Sequence, residues 1–215
     1  MAAHPVYQGV PRLETMVVRQ ESHPGTGAGV IPEEFRVAVE SMRAARLRQE
    51  VFCEEMPAPQ RIAPHAFALS ADVTVDETEV GTGRIILLHD PAGNDAWEGT
   101  FRCVAYARAE IDPEMITDPL LAAVGWSWLT EALEAHGAQY TAPSGSVTRV
   151  ATENFGSMAG EEASAQLEVR ASWSPTSLEL AAHVEAWGEL LCTAVGLPPV
   201  PEGVTAMPSR RGQRG

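Results

Sequence analysis

Apolar positions recur along this chain at two different spacings. Between Ile31 and Arg48, Phe35, Val39 and Met42 fall on one face of a 3.6-residue period, with Ala38 and Ala45 beside them. Pro32 suits a first helical position, Glu33 and Glu34 the positive end, and Arg43, Arg46 and Arg48 the negative end, so this stretch predicts a helix. Glu50 to Met56 has room to be extended before Pro57, Pro59 and Pro64 break the chain. From His65 to Val75 the period drops to two: His65, Phe67, Leu69, Ala71, Val73 and Val75 alternate with smaller or polar residues, as in a half-buried strand. Val80 to His89 is apolar on both faces near Ile85 to Leu88, which suits a central strand. Gly81-Thr82-Gly83 lacks the third glycine and following helix of a phosphate loop, and is better suited to a twisted strand start. Asp90-Pro91-Ala92-Gly93-Asn94 predicts a loop. Trp97 to Ile111 then places Trp97, Phe101, Cys103, Ala105, Ala107 and Ile111 on one face. Glu98, Thr100, Arg102, Tyr106, Arg108 and Glu110 fall on the other, which is expected to meet water.

Asp118-Pro119 starts and Gly137 stops a second helix over residues 119–136. Two strands follow, Gly145 to Glu153 and Ala165 to Trp173. A closing helix is expected with a capping box at Thr176 and Glu179, a stripe of Leu180, Val184, Trp187 and Leu191, and a left-handed cap at Gly196. The fold class is α+β: a two-layer sandwich with an antiparallel sheet of five or six strands and three helices, in the order α-β-β-β-α-β-β-α. That order is similar, by fold analogy alone, to the type III secretion chaperones, which are small, acidic and usually dimeric. The folded body is placed at residues 31–197, between a flexible arm at 1–30 and a flexible tail at 198–215.

The net charge of −14 on 215 residues disfavours nucleic acid and anionic membranes as partners. All fifteen basic residues are arginine. The lack of lysine excludes a Walker-type phosphate loop, a Schiff-base lysine and a Ser-x-x-Lys nucleophile. Cys53, Cys103 and Cys192 are far apart and set among apolar neighbours, without zinc or redox spacing, as expected in a reducing compartment. No apolar run reaches the about 18 residues of a membrane helix, and the N-terminus lacks a signal core, so a cytoplasmic protein is expected. No cofactor and no metal site are expected.

Four groups of residues carry possible chemistry. His89, Asp90 and Asp95 could hold a divalent metal or move a proton, although Asp-Pro-x-Gly is ordinary turn chemistry. His65 and His183 sit on apolar faces and are more economically read as packing residues. Arg102, Tyr106 and Arg108, with Arg170 from another strand, could make an RNA-binding platform, but Glu98, Glu110 and Glu168 interleave with them, and cross-strand ion pairs explain the pattern with less. Ser144-Gly145-Ser146 is not a nucleophile elbow. In the second helix, Trp126 and Trp128 point in nearly opposite directions, and Trp126 with Leu129 and Leu133 extends apolar surface round the helix. That surface is expected to be covered by another helix or by a partner subunit.

Several ordered strings carry a family resemblance. Leu88-His89-Asp90-Pro91, Trp97-Glu98-Gly99-Thr100-Phe101-Arg102, Asp118-Pro119-Leu120-Leu121, Trp126-Ser127-Trp128-Leu129, Arg170-Ala171-Ser172-Trp173 and Gly196-Leu197-Pro198-Pro199 resemble the domain of unknown function numbered 3000. The likeness covers about residues 33 to 199. It implies an actinobacterial, cytosolic setting and no assigned activity. The excess apolar surface at Trp126, the acidic body and the element order lead instead to the expectation of a non-enzymatic protein-binding or scaffold domain, homodimeric, with the second helix near the interface. A metal- or small-molecule enzyme using His89, Asp90 and Asp95, and RNA binding by the sheet face, are the alternatives.

Overall fold

The computed structural model describes residues 31–199; the expected arm at 1–30 and most of the expected tail lie outside the described residues. Three helices and six strands follow one another as α1 (Glu33–Arg43), β1 (Val51–Met56), β2 (His65–Val75), β3 (Thr78–Asn94), β4 (Gly99–Ile111), α2 (Leu121–Ala135), β5 (Tyr140–Thr152), β6 (Ser164–Pro175) and α3 (Ala181–Ala194). The sheet order is β1-β2-β3-β4-β6-β5, and every neighbouring pair is antiparallel. This is the α+β architecture expected from the chain's periodicities, with Val51–Met56 as the sixth strand. No described helix is long and apolar enough to cross a membrane.

The register explains why the helices pack on one face only. Ala71, Gly83, Ala107 and Val169 lie side by side across β2, β3, β4 and β6, and Val73, Gly81, Ala109 and Leu167 form the neighbouring row. The small residues in these rows make a trough, and α3 lies in it. A Cβ on Gly83 would stand 2.9 Å from Leu191 and 3.0 Å from Trp187; one on Gly81 would stand 2.6 Å from Val195. The approach is close enough for the Trp187 indole N–H to donate to the Tyr106 carbonyl at 3.1 Å. Phe35, Ala38, Val39 and Met42 of α1 join the same core, as do Leu129, Ala132 and Leu133 of α2. Gly125 of α2 sits against Leu167 and Val147, which share the helix-covered face.

Several boundaries differ from those the sequence predicts. The expected loop at Asp90–Asn94 belongs to β3, because pairing with β4 resumes at Asn94 and Gly99 after an irregular stretch. The Thr176–Glu179 capping box does not form. The chain makes bends until Leu180, which is fully buried, and α3 begins at Ala181, whose N–H donates to Ser41 Oγ of α1 at 3.0 Å. A tertiary contact thus supplies the cap that a local motif was expected to supply. The C-terminal signals behave as expected. Gly196 has φ +79°, and the Leu197 N–H donates to Cys192 O at 2.9 Å.

The trough gives a direct test. In Gly83→Val the new side chain would begin 2.8 Å from the Tyr106 carbonyl, which belongs to a paired strand and has no freedom to step aside. We expect a loss of about 1–3 kcal/mol in urea unfolding. Gly99→Ala, at a site facing open space, should change little.

Candidate sheet-face binding site

Among the described residues no α-helix covers the opposite face of the sheet, although the Trp97 segment closes over one end, where Leu88, Arg102 and Ser174 are buried. Two register rows of this face concern the site. The first runs Glu54, Ser70, Arg84, Tyr106, Arg170, Ser146 from β1 to β5; the second runs Met56, Ala68, Ile86, Val104, Ser172, Ser144. Between β3 and β5 these rows line a groove of about 620 Å³. Its centre is Tyr106. The guanidinium of Arg84 lies 5.5 Å from the ring centroid and that of Arg170 lies 5.4 Å from it. The phenol donates to Glu168 Oε1 at 3.1 Å, and Arg170 reaches the other oxygen of the same carboxylate at 2.9 Å. Burial pushes the Tyr106 phenol above its ordinary pKa, and the Glu168 hydrogen bond adds to the effect.

One end of the groove rests on Arg102. Only 7% of this residue is exposed, so it does not meet water as expected for its face. Its guanidinium donates to the Ala142 carbonyl at 2.9 Å and to the hydroxyls of Ser174, Ser144 and Ser172 at 3.1, 3.0 and 2.7 Å. All four acceptors are neutral. Desolvation pulls the Arg102 pKa below the ordinary arginine value, yet a guanidinium keeps its charge at neutral pH. The Arg102 platform suggested by sequence is therefore corrected: Arg102 is a buried strut, not a surface phosphate contact. Arg108 stands opposite Glu168 in register without an ion pair, and the Arg170–Glu168 pair runs along β6, not between strands.

The His89, Asp90 and Asp95 cluster comes apart in the same way. His89 is a fully buried residue of β3 on the helix-covered face, stacked on Phe101 at 4.1 Å between centroids, with Nδ1 3.1 Å from Thr100 O. Glu34 Oε1 lies 3.1 Å from Nε2, which makes no hydrogen bond. Strand alternation turns Asp90 to the other side, where its carboxylate accepts from the Ala92 N–H. Among the described residues no three His, Cys, Asp or Glu side chains converge as metal ligands. His65 stacks with His89 and meets the Phe35 ring at a tilt. His183 is buried and accepts from the Trp173 indole N–H at 2.9 Å, so its own proton sits on Nε2, which has no partner. Burial raises the thiols of Cys53 and Cys103 above the ordinary range and pushes Cys192 up to about 11.

The second helix is largely accounted for by its own chain. Leu129 and Leu133 are buried in the core and offer nothing to a partner, which corrects their placement at an interface. Trp126 and Trp128 are half-buried against that core, and Trp126 lies over Gly145. The exposed apolar residues of this region are Leu120 and Val124. Sequence reasoning missed Arg84, Ile86, Ser146 and Ser172 as groove residues. The available signal was strand alternation, which puts Arg84 and Ile86 on one face, but which face lay bare depended on the helices.

A comparison with protein families matches DUF3000, described as a protein of unknown function, over residues 31–205. Comparisons with curated proteins and with solved structures gave no match.

His183 makes stability depend on pH. Burial holds the folded imidazole down at about 4, against 6.5 for the free side chain. As pH falls below 6.5 the unfolded chain takes up a proton that the folded chain refuses, so stability drops until about pH 4 and then levels off. The loss should approach roughly 3 kcal/mol. Urea unfolding of His183→Gln, which keeps an acceptor for Trp173, should show a flatter profile between pH 7 and pH 4.

Proposed function

We propose that this chain, which belongs to the DUF3000 family, is a non-catalytic binding domain, a scaffold that receives a partner protein on the uncovered face of its sheet. One observation carries the reading. Among the described residues all three α-helices pack on one face, and the other carries the groove lined by Ile86 and Val104, with Met56 farther along the same row, and the edge strand β5. A bare sheet face next to an unpaired strand offers side-chain pockets and main-chain hydrogen bonds together. The histidines and thiols best suited to chemistry support binding over catalysis, because His89, His183, Cys103 and Cys192 are buried, away from that face. The three unpaired cysteines are in keeping with a cytosolic setting.

A photo-crosslinking residue at Thr82, on the uncovered face, should capture a discrete protein partner in the native host. The same residue at Val37, exposed on α1, should not. Capture from the helix side alone would overturn the reading.

Self-association is a second reading, favoured by Leu120 and Val124, which lie one turn apart and exposed at the start of α2. Light scattering should then show a dimer that Val124→Asp converts to a monomer. A monomeric wild-type chain at high micromolar concentration would retire it.

A further inference from the structure

We propose that the groove is a site for an organic oxyanion, with a phosphate or carboxylate head held by Arg84 and Arg170 and an apolar body laid on Ile86 and Val104. The inference rests on the uncovered face being the binding surface and adds the chemistry that face selects.

The first ground is local charge. The whole chain carries −14, yet Arg84 and Arg170 line this groove with Arg102 beneath one end; Glu168 is the carboxylate paired there, and Asp72, diagonal to Arg84 on β2, makes no ion pair with it. Glu168 is already engaged by both Arg170 and Tyr106. Among the described residues Arg84 has no carboxylate within ion-pair distance. In its own row the next acid is Glu54 of β1, two strands away, or about 10 Å at the usual strand spacing.

The second ground is geometry. Arg84 and Arg170 flank Tyr106 from the strands on either side of β4, so their backbones are also two strand spacings apart. Both guanidiniums lie over the same ring, which holds them in place; that of Arg84 has no hydrogen-bond partner among the described residues, and Arg170 keeps the N–H groups it does not give to Glu168.

The third ground is the hydroxyl floor. Arg102 donates to Ser144 Oγ and Ser172 Oγ, which stand 3.2 Å apart. With lone pairs occupied by a cation, one hydroxyl donates to the other and the remaining O–H is left to point elsewhere. Ser146 lines the same wall. Donors without matching acceptors, beside an apolar strip, select an anion with a hydrophobic body. A free metabolite and a side chain of the partner protein offer the same head chemistry, and the experiment separates the two.

Titration with phenyl phosphate, followed by NMR of the Arg Nε–H and Tyr106 ring signals, tests the site. We expect saturable binding that shifts the Arg84, Arg170 and Tyr106 signals, weakens with added salt, and is not reproduced by phenol. Arg84→Ala should weaken it about tenfold, the loss of one charge-assisted pair. Arg149→Ala, on the opposite face of the edge strand, should leave it unchanged. Competition of phenyl phosphate with the Thr82 crosslink assigns the head to the partner; binding without competition assigns it to a free ligand, and both support the site. No saturable shift at 20-fold excess over about 1 mM protein, or binding indifferent to Arg84→Ala, overturns it. A crosslink that persists in that case keeps the binding-face reading standing by itself.

Discussion

The close seat of α3 on the sheet organises both faces of this protein. Gly81, Gly83 and Ala107 leave a trough shallow enough in side chains that Trp187 reaches the backbone of β4 and donates to the Tyr106 carbonyl. The same residue turns its ring to the other face, where Arg84 and Arg170 flank it. One position of β4 is therefore held from the core by an indole and presents a phenol at the centre of the groove. Buried tryptophans contribute several kcal/mol through area alone, so the strand that carries the groove is anchored by a fully buried indole. A rigid strand is the right base for a recognition surface, because little ordering remains to be done on binding.

Polar groups on the two faces obey different rules. On the helix side His89 and His183 are desolvated and stacked, and each has a nitrogen without a hydrogen-bond partner. Such atoms cost stability when buried. Both are structural residues, and at His183 burial adds a sensitivity to acid. On the bare side the buried Arg102 is satisfied by a carbonyl and three hydroxyls instead of a carboxylate. None of those acceptors is charged, so the charge of Arg102 is balanced only at longer range, by Glu98.

The two tryptophans of α2 illustrate how a helix with apolar residues on opposite sides is accommodated. Trp126 finds Gly145, where the missing side chain makes room for the indole, while Leu129 and Leu133 enter the core shared with α3. Only the first turn, with Leu120 and Val124, stays exposed. Apolar surface that looks excessive on an isolated helix is thus mostly absorbed by an edge strand and a neighbouring helix.

Spacing alone determined which segments of this chain are helices and which are strands, which residues of β4 and β6 share a face, and where Gly137 and Gly196 end their helices. Those properties follow from periods of 3.6 and 2 and from the left-handed backbone that glycine tolerates. The family strings were legible for the same reason, being local. Only tertiary structure decided that Ser41 caps α3, that His89 faces the core while Asp90 does not, that Arg102 is buried, and that Arg84 joins Tyr106 and Arg170. Each of those outcomes depends on which sheet face the three helices cover and on strand register, and both are set by contacts between residues far apart in the chain, to which local periodicity is blind.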